Sequence, residues 1–203
     1  MKKFHILSVI LLILVFVINI KILISQLYPF EQDGLYGYKN KKGKTILPAK
    51  YLMAEKFSKD GIAAIIDDSS WAYIDKNGKV LIRPIAYDNY PDEFHNGLAR
   101  FIKDDKFGFF NRKCEIIIPN KFTYVSVFSG GLAAFCEKCV KTQEGEYHIY
   151  KGGRWGYVNK KGDIAIEPVY DVGYDFEKGF ARVKFKGEWL TINKNGKVIK
   201  YKK

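Results

Sequence analysis

Trp155-Gly156-Tyr157-Val158-Asn159-Lys160-Lys161-Gly162-Asp163-Ile164-Ala165-Ile166-Glu167-Pro168-Val169-Tyr170 is the stretch that decides the fold. Its first five residues have the aromatic and β-branched character of a strand. Asn159 followed three residues later by Gly162 is the residue preference of a type I turn. A residue of positive φ after such a turn closes a three-residue hairpin with a bulge. Ile164-Ala165-Ile166 therefore reads as a second, antiparallel strand, and Pro168 ends it because proline cannot donate to a central ladder. Downstream, Phe176 leads into Gly179-Phe180-Ala181-Arg182, a short third strand.

The same order of features recurs along the chain. The leading aromatic is Tyr36, Trp71, Phe107, Trp155 and Trp189, at spacings of 35, 36, 48 and 34 residues. The turn position seven residues later holds Gly43, Gly78, Cys114, Gly162 and Gly196. Prolines 48, 84, 119 and 168 close four second strands, and Gly61, Gly97, Gly131 and Gly179 open four third strands. Self-similarity at this period signals a repeat architecture in which stacked neighbours bury what one unit cannot. The expected fold is an all-β array of antiparallel three-stranded meanders, open and solenoid-like, with a small β-propeller as the alternative. Four full repeats and a C-terminal half repeat occupy residues 28–203. The five leading aromatics, Tyr36, Trp71, Phe107, Trp155 and Trp189, are expected to be repeat-core residues, because positions shared by every unit form the shared core.

The Trp-Gly-Tyr core at Trp155, the Lys-Gly or Asn-Gly turn, the Pro-x-Tyr step and the Phe-x-x-Gly-Leu-Ala-Arg box together resemble the bacterial WG repeat. The resemblance runs from Leu35 to Lys200, with Ala72 and Leu190 standing in for the glycine and Tyr36 and Phe107 for the tryptophan. It implies a β-rich interaction module. It implies no enzyme and brings no catalytic residues with it.

Residues 1–27 form a separate segment. Lys2 and Lys3 precede an apolar run over residues 6–24. As a helix at ~1.5 Å per residue, that run is close to the hydrocarbon thickness of a bilayer. The flanking lysines put the N-terminus in the cytoplasm and the repeats outside it. The reading is a transmembrane anchor. A signal helix is the alternative, with secretion after cleavage, although no small-x-small cleavage site follows.

The formal net charge of +12 includes many lysines in the hairpin turns, among them Lys41, Lys42, Lys44, Lys76, Lys79, Lys160, Lys161, Lys194 and Lys197. Aligned by stacking, they would form a basic edge suited to an anionic surface, or simply a solvated edge that discourages strand pairing. The partners expected are the membrane, through the N-terminal helix, and a protein or anionic envelope polymer. Nucleic acid is not expected, because no recognition helix or zinc-finger spacing is present. Neither are cofactors, metal ligands or catalytic residues, since no nucleophile–base set and no phosphate loop appears.

One unit is irregular. Gly131 to Trp155 is 24 residues where the other copies have ten, and the excess, residues 137–150, reads as a protruding hairpin. At its root stand Cys136 and Cys139. A disulfide between them suits an oxidising compartment but needs a local turn at Glu137-Lys138, because a regular strand would hold them too far apart. The alternatives are free thiols, or a redox or metal centre, for which no helix N-terminus and no full ligand set is signalled. Non-repeating aromatics in the connections after the second strands, Tyr90, Tyr124 and Tyr174, are the candidate ligand contacts. The leading functional reading is a membrane-anchored extracytoplasmic binding or scaffold module. The alternatives are a protein centred on Cys136 and Cys139, and a purely structural envelope spacer.

Overall fold

The computed structural model describes residues 26–87, 90–145 and 147–199. Among these residues every regular element is a β-strand. The helix expected over residues 1–27 lies, but for its last two residues, outside the described part. Contacts divide the chain into two units, Met1–Arg83 and Pro84–Lys203.

In the first unit, β1 (Leu27–Gln32), β2 (Leu35–Asn40) and β3 (Thr45–Tyr51) form one antiparallel sheet. The strands β4 (Met53–Ala54), β5 (Ala63–Ile66), β6 (Trp71–Ile74) and β7 (Val80–Ile82) form a second. The second unit opens with the ribbon β8 (Ala86–Tyr87) and β9 (Tyr90–Pro91), followed by the sheet of β10 (Leu98–Lys103), β11 (Lys106–Asn111) and β12 (Ile116–Phe122). Next, β13 (Tyr124–Val125) and β14 (Leu132–Glu137) lead into an inserted hairpin, β15 (Val140–Glu144) and β16 (Tyr147–Lys151). The chain then returns to their sheet as β17 (Arg154–Asn159) and β18 (Ile164–Tyr170). The last sheet is β19 (Val172–Gly173), β20 (Phe180–Phe185) and β21 (Glu188–Asn193).

The meanders are small, antiparallel and open, but they are phased differently from the sequence repeat. Each sheet joins the third strand of one repeat to the first and second strands of the next, as in β5-β6-β7 and β14-β17-β18. Tight two-residue turns cause this. Asp104-Asp105 and Lys186-Gly187 all have positive φ and clamp β10 to β11 and β20 to β21 in unbroken register. In the first sheet β1 supplies the missing third strand through Asp33-Gly34, so Leu27, expected at the end of the anchor, is a buried sheet residue.

The sheets stack within each unit. Tyr38, Leu47 and Tyr51 of the first sheet meet Ala63, Ile65 and Ile74 of the second. In the second unit Phe107, Phe109 and Ile118 meet Phe135 and Val158, and Tyr157, Ile166 and Tyr170 meet Val183 and Ile192. Pro48, Pro119 and Pro168 do not close the second strands as expected: β3, β12 and β18 run through them at a register shift, where the ladder needs no donor, and carry the same alternation of burial along all seven residues. This is the signature of one packing solution used three times.

The deepest aromatic is the third residue of the motif. Tyr38, Phe109 and Tyr157 are wholly buried, and each packs on the box phenylalanine, Phe57, Phe128 or Phe176, at 4.6–4.8 Å between ring centres. The two tyrosine hydroxyls donate to backbone carbonyls, Tyr38 to Glu55 at 2.8 Å and Tyr157 to Tyr174 at 2.7 Å. Burial pushes both phenols above the usual tyrosine range. The expectation for the leading aromatics needs correcting. Trp71 and Phe107 are buried and Tyr36 and Trp155 are partly buried against the core, but Trp189 is 41% exposed and departs from the expectation. Tyr36, Phe107 and Trp155 face Tyr51, Phe122 and Tyr170 across the ladder, whereas no second strand faces Trp189 among the described residues.

The motif glycine has a steric cause. A Cβ on Gly37, Gly108 or Gly156 would stand 2.6 Å from the carbonyl oxygen of Leu47, Ile118 or Ile166, where the bulged second strand crosses. Where the glycine is replaced, that strand is cut short or absent. Opposite Ala72, β7 has three residues instead of seven, and opposite Leu190 there is, among the described residues, only the isolated bridge Ile192–Val198. The Asx residue is equally local. Asn40, Asp75, Asn111, Asn159 and Asn193 each accept, on Oδ1, the backbone N–H groups two and four residues ahead. Cys114 fills its turn at φ 60°, and burial pushes its thiol up to about 11.

Two outcomes follow for denaturant midpoints at unchanged slope. Gly156→Ala should lose about 1–3 kcal/mol through overpacking against the Ile166 carbonyl. Ala72→Gly should lose only about 1 kcal/mol or less, since no full second strand lies there. In the second comparison, the buried Tyr51 hydroxyl has no hydrogen-bond partner among the described residues, whereas that of Tyr38 has one. Tyr51→Phe should therefore be neutral or gain up to ~1 kcal/mol, and Tyr38→Phe should cost roughly 1 kcal/mol. Equal losses for the two would refute the assignment.

Candidate functional site

The three candidate tyrosines do not converge on one site. They lie on β9, on β13 and just beyond β19, in three different sheets. Tyr90 is 71% exposed on the β8–β9 ribbon. Tyr124, read from the sequence as a free contact, is half-buried in a ring cluster instead. It lies 5.6 Å from Phe107, 5.6 Å from Trp155 and 4.6 Å from Tyr150 between ring centres. Tyr150 comes from the inserted hairpin, so the insertion supplies a ring that fixes Tyr124 in place. Tyr174 stays exposed and stacks on Trp189, with 5.6 Å between centres and 7° between planes.

The inserted hairpin is anchored at its root. Cys136 and Cys139 form a disulfide with their Cα atoms 6.0 Å apart, inside the range a bridge tolerates. The local turn comes from Lys138, held at φ 57°. Both cysteines are buried, and a Cβ on Gly153 would fall 2.7 Å from the Cys139 nitrogen and 2.8 Å from the Cys136 sulfur. Gly153 is therefore required where the returning strand passes the bridge. Among the described residues no group of three or more His, Cys, Asp or Glu side chains is placed to hold a metal ion.

Beneath the hairpin lies an open cleft of about 410 Å³, lined by Ile102, Asp105, Lys106, Phe107, Thr123, Lys141 and Tyr150. Each wall has a separate origin. Asp105 and Lys106 come from the β10–β11 turn, Thr123 from the step between β12 and β13, and Lys141 and Tyr150 from the insertion. The floor is the Phe107 ring, with Tyr150 edge-on at 5.7 Å, and Lys106 donates to the Thr123 hydroxyl at 3.2 Å. Asp105 stands at φ 54° where the corresponding turns carry Gly34 and Gly187. A non-glycine residue there is strained, and strain of this kind gathers at functional positions.

The turn lysines are partly engaged. Lys160 donates to the Asn96 carbonyl at 3.0 Å, and the Lys194 side chain reaches Gly130 of another repeat. Lys160 and Lys194 thus brace neighbouring turns. The Arg of the box is likewise used in two ways. Arg100 is buried and bonded to Asp92 through its side chain and backbone nitrogen, at 2.7–3.1 Å. Arg182, at the same box position, is exposed and lies 4.3 Å from the Trp189 ring centre.

Sequence reasoning missed the cleft. Its one visible signal was the length of the insertion, since Ile102, Asp105 and Thr123 are unremarkable in a linear reading. The WG containing repeat matches residues 36–69, 71–107, 107–138 and 155–189. The inserted hairpin falls between the last two matches, so it is an addition to the repeat pattern. No curated protein matches the chain. With four matches carried on the same stacked meanders, the chain belongs to the family of proteins built from the WG containing repeat.

Proposed function

We propose that the protein is a membrane-tethered, non-enzymatic binding module displayed outside the cytoplasm, and that its ligand occupies the cleft beneath the inserted hairpin. One observation carries this reading. The only segment that departs from the repeat by a long insertion builds a wall of that cleft, with cations, an aromatic floor and a strained aspartate around it. Two lysines at the rim favour an anionic partner, either a protein or an envelope polymer. The apolar run over residues 6–24 behind Lys2 and Lys3 supports the tether, and a disulfide suits an oxidising compartment.

The test uses the full chain in intact cells. A photo-reactive residue in place of Tyr150 should capture an envelope component, and Lys141→Glu in the same chain should abolish the capture. Capture of equal yield from position 28 on the first sheet would remove the cleft from the proposal. Protease added outside the cytoplasmic membrane should digest the repeats, and protection until lysis would overturn the tether. Asp105→Gly should raise stability by about 0.5–1 kcal/mol through relief of strain. The same change removes a carboxylate from the rim, so capture of an anionic partner at Tyr150 should be maintained or raised. A variant that is less stable than the parent would show that Asp105 is not strained.

A further inference from the structure

The sheet β19-β20-β21 has one face buried and one bare. Ala181, Val183 and Ile192 pack into the core shared with the preceding sheet. The opposite face carries Tyr174, Phe180, Arg182, Lys184 and Trp189. In the preceding sheet the corresponding positions of β14 are Leu132, Ala134 and Cys136, all buried. So where the inner sheet presents small apolar residues to a neighbour, the last sheet presents two cations and a stacked pair of rings. A polar outer face is what a terminal repeat needs for solubility. Solubility alone does not call for a stacked, exposed tyrosine–tryptophan pair, because large exposed rings work against it.

The geometry is that of a platform. Tyr174 and Trp189 are parallel within 7° and remain 53% and 41% exposed. Arg182 is held 4.3 Å from the Trp189 ring centre and Lys184 5.8 Å from it. No carboxylate pairs with Arg182 among the described residues, in contrast to Arg100, which Asp92 neutralises. Packing on the ring orients the guanidinium and lowers the entropy lost when its planar fork grips a carboxylate. Flat rings present a negative face that suits the weakly positive C–H groups of a pyranose. Two cations beside them suit an acidic substituent on that sugar.

We propose that the face formed by Tyr174, Arg182, Lys184 and Trp189 binds a carboxylated polysaccharide, a sugar stacking on the open side of the ring pair and Arg182 taking the carboxylate. This face is separate from the cleft and does not depend on it.

The experiment titrates the full-length chain with polygalacturonate and follows tryptophan emission, with neutral dextran as the comparison polymer. Emission should shift saturably with polygalacturonate and stay unchanged with dextran. Arg182→Gln and Trp189→Ala should each weaken binding at least tenfold by calorimetry, while Lys197→Gln, which removes a turn charge elsewhere, should change it less than twofold. Retention of the wild-type far-ultraviolet dichroism by each variant confirms that the fold is intact. Tyr174→Ala offers a second probe should Trp189→Ala unfold. Absence of binding, equal binding of dextran, or an equal loss with Lys197→Gln would each overturn the proposal. Self-association of the wild type that disappears with Arg182→Gln would assign the face to a second copy and overturn it as well.

Discussion

The structure depends on one close approach of backbone to backbone. Where the bulged second strand crosses the leading strand, the carbonyls of Leu47, Ile118 and Ile166 come so near that only hydrogen fits in place of a side chain. That approach lets the second strand run its full seven residues and turn Leu47, Ile118 or Ile166 into the core. It also places the next residue of the motif, Tyr38, Phe109 or Tyr157, beneath the crossing, where the box phenylalanine covers it. Remove the approach, as at Ala72, and the second strand shortens to three residues. Tyr73 then stays only partly buried, with an exchange of packing but no loss of the sheet.

The repeat, its strands and its turns were legible because their causes are local. Five Asx residues cap five turns through hydrogen bonds that span four residues, and the turn glycines need positive φ whatever lies around them. Burial was less legible. Trp155 and Trp189 occupy the same motif position, yet what covers each is set by a strand some fifteen residues away, which Trp189 lacks. Arg100 and Arg182 make the same point. Their box sequence is alike, and the difference between a buried ion pair and a surface cation lies eight residues upstream, at Asp92 and Tyr174. The cleft was invisible for a related reason, since its walls come from three connections that only the fold brings together.

Irregularity and the proposed binding surfaces share an address in this chain. The repeats stack by burying aromatic and branched residues against each other, a chemistry that leaves little room for recognition. Polar variety collects where stacking makes no demand, at the inserted hairpin and on the bare side of the last sheet. The disulfide at the root of that hairpin fits this division, because it fixes where the insertion leaves the regular ladder without constraining what its far end contacts.

The offset between sequence repeat and sheet has a consequence for how such a chain can be cut and copied. A segment starting at each leading aromatic would sever the tight hairpin between β10 and β11 or β20 and β21, leaving a strand without its neighbour. The severed strand would expose a row of backbone groups to other molecules. Cuts placed just after Tyr51, Phe122 or Tyr170 leave every long ladder whole. Recombination that adds or removes modules between those points exchanges complete sheets. The natural joint of the array is thus the end of the second strand, and the motif most visible in the sequence sits in the middle of a module.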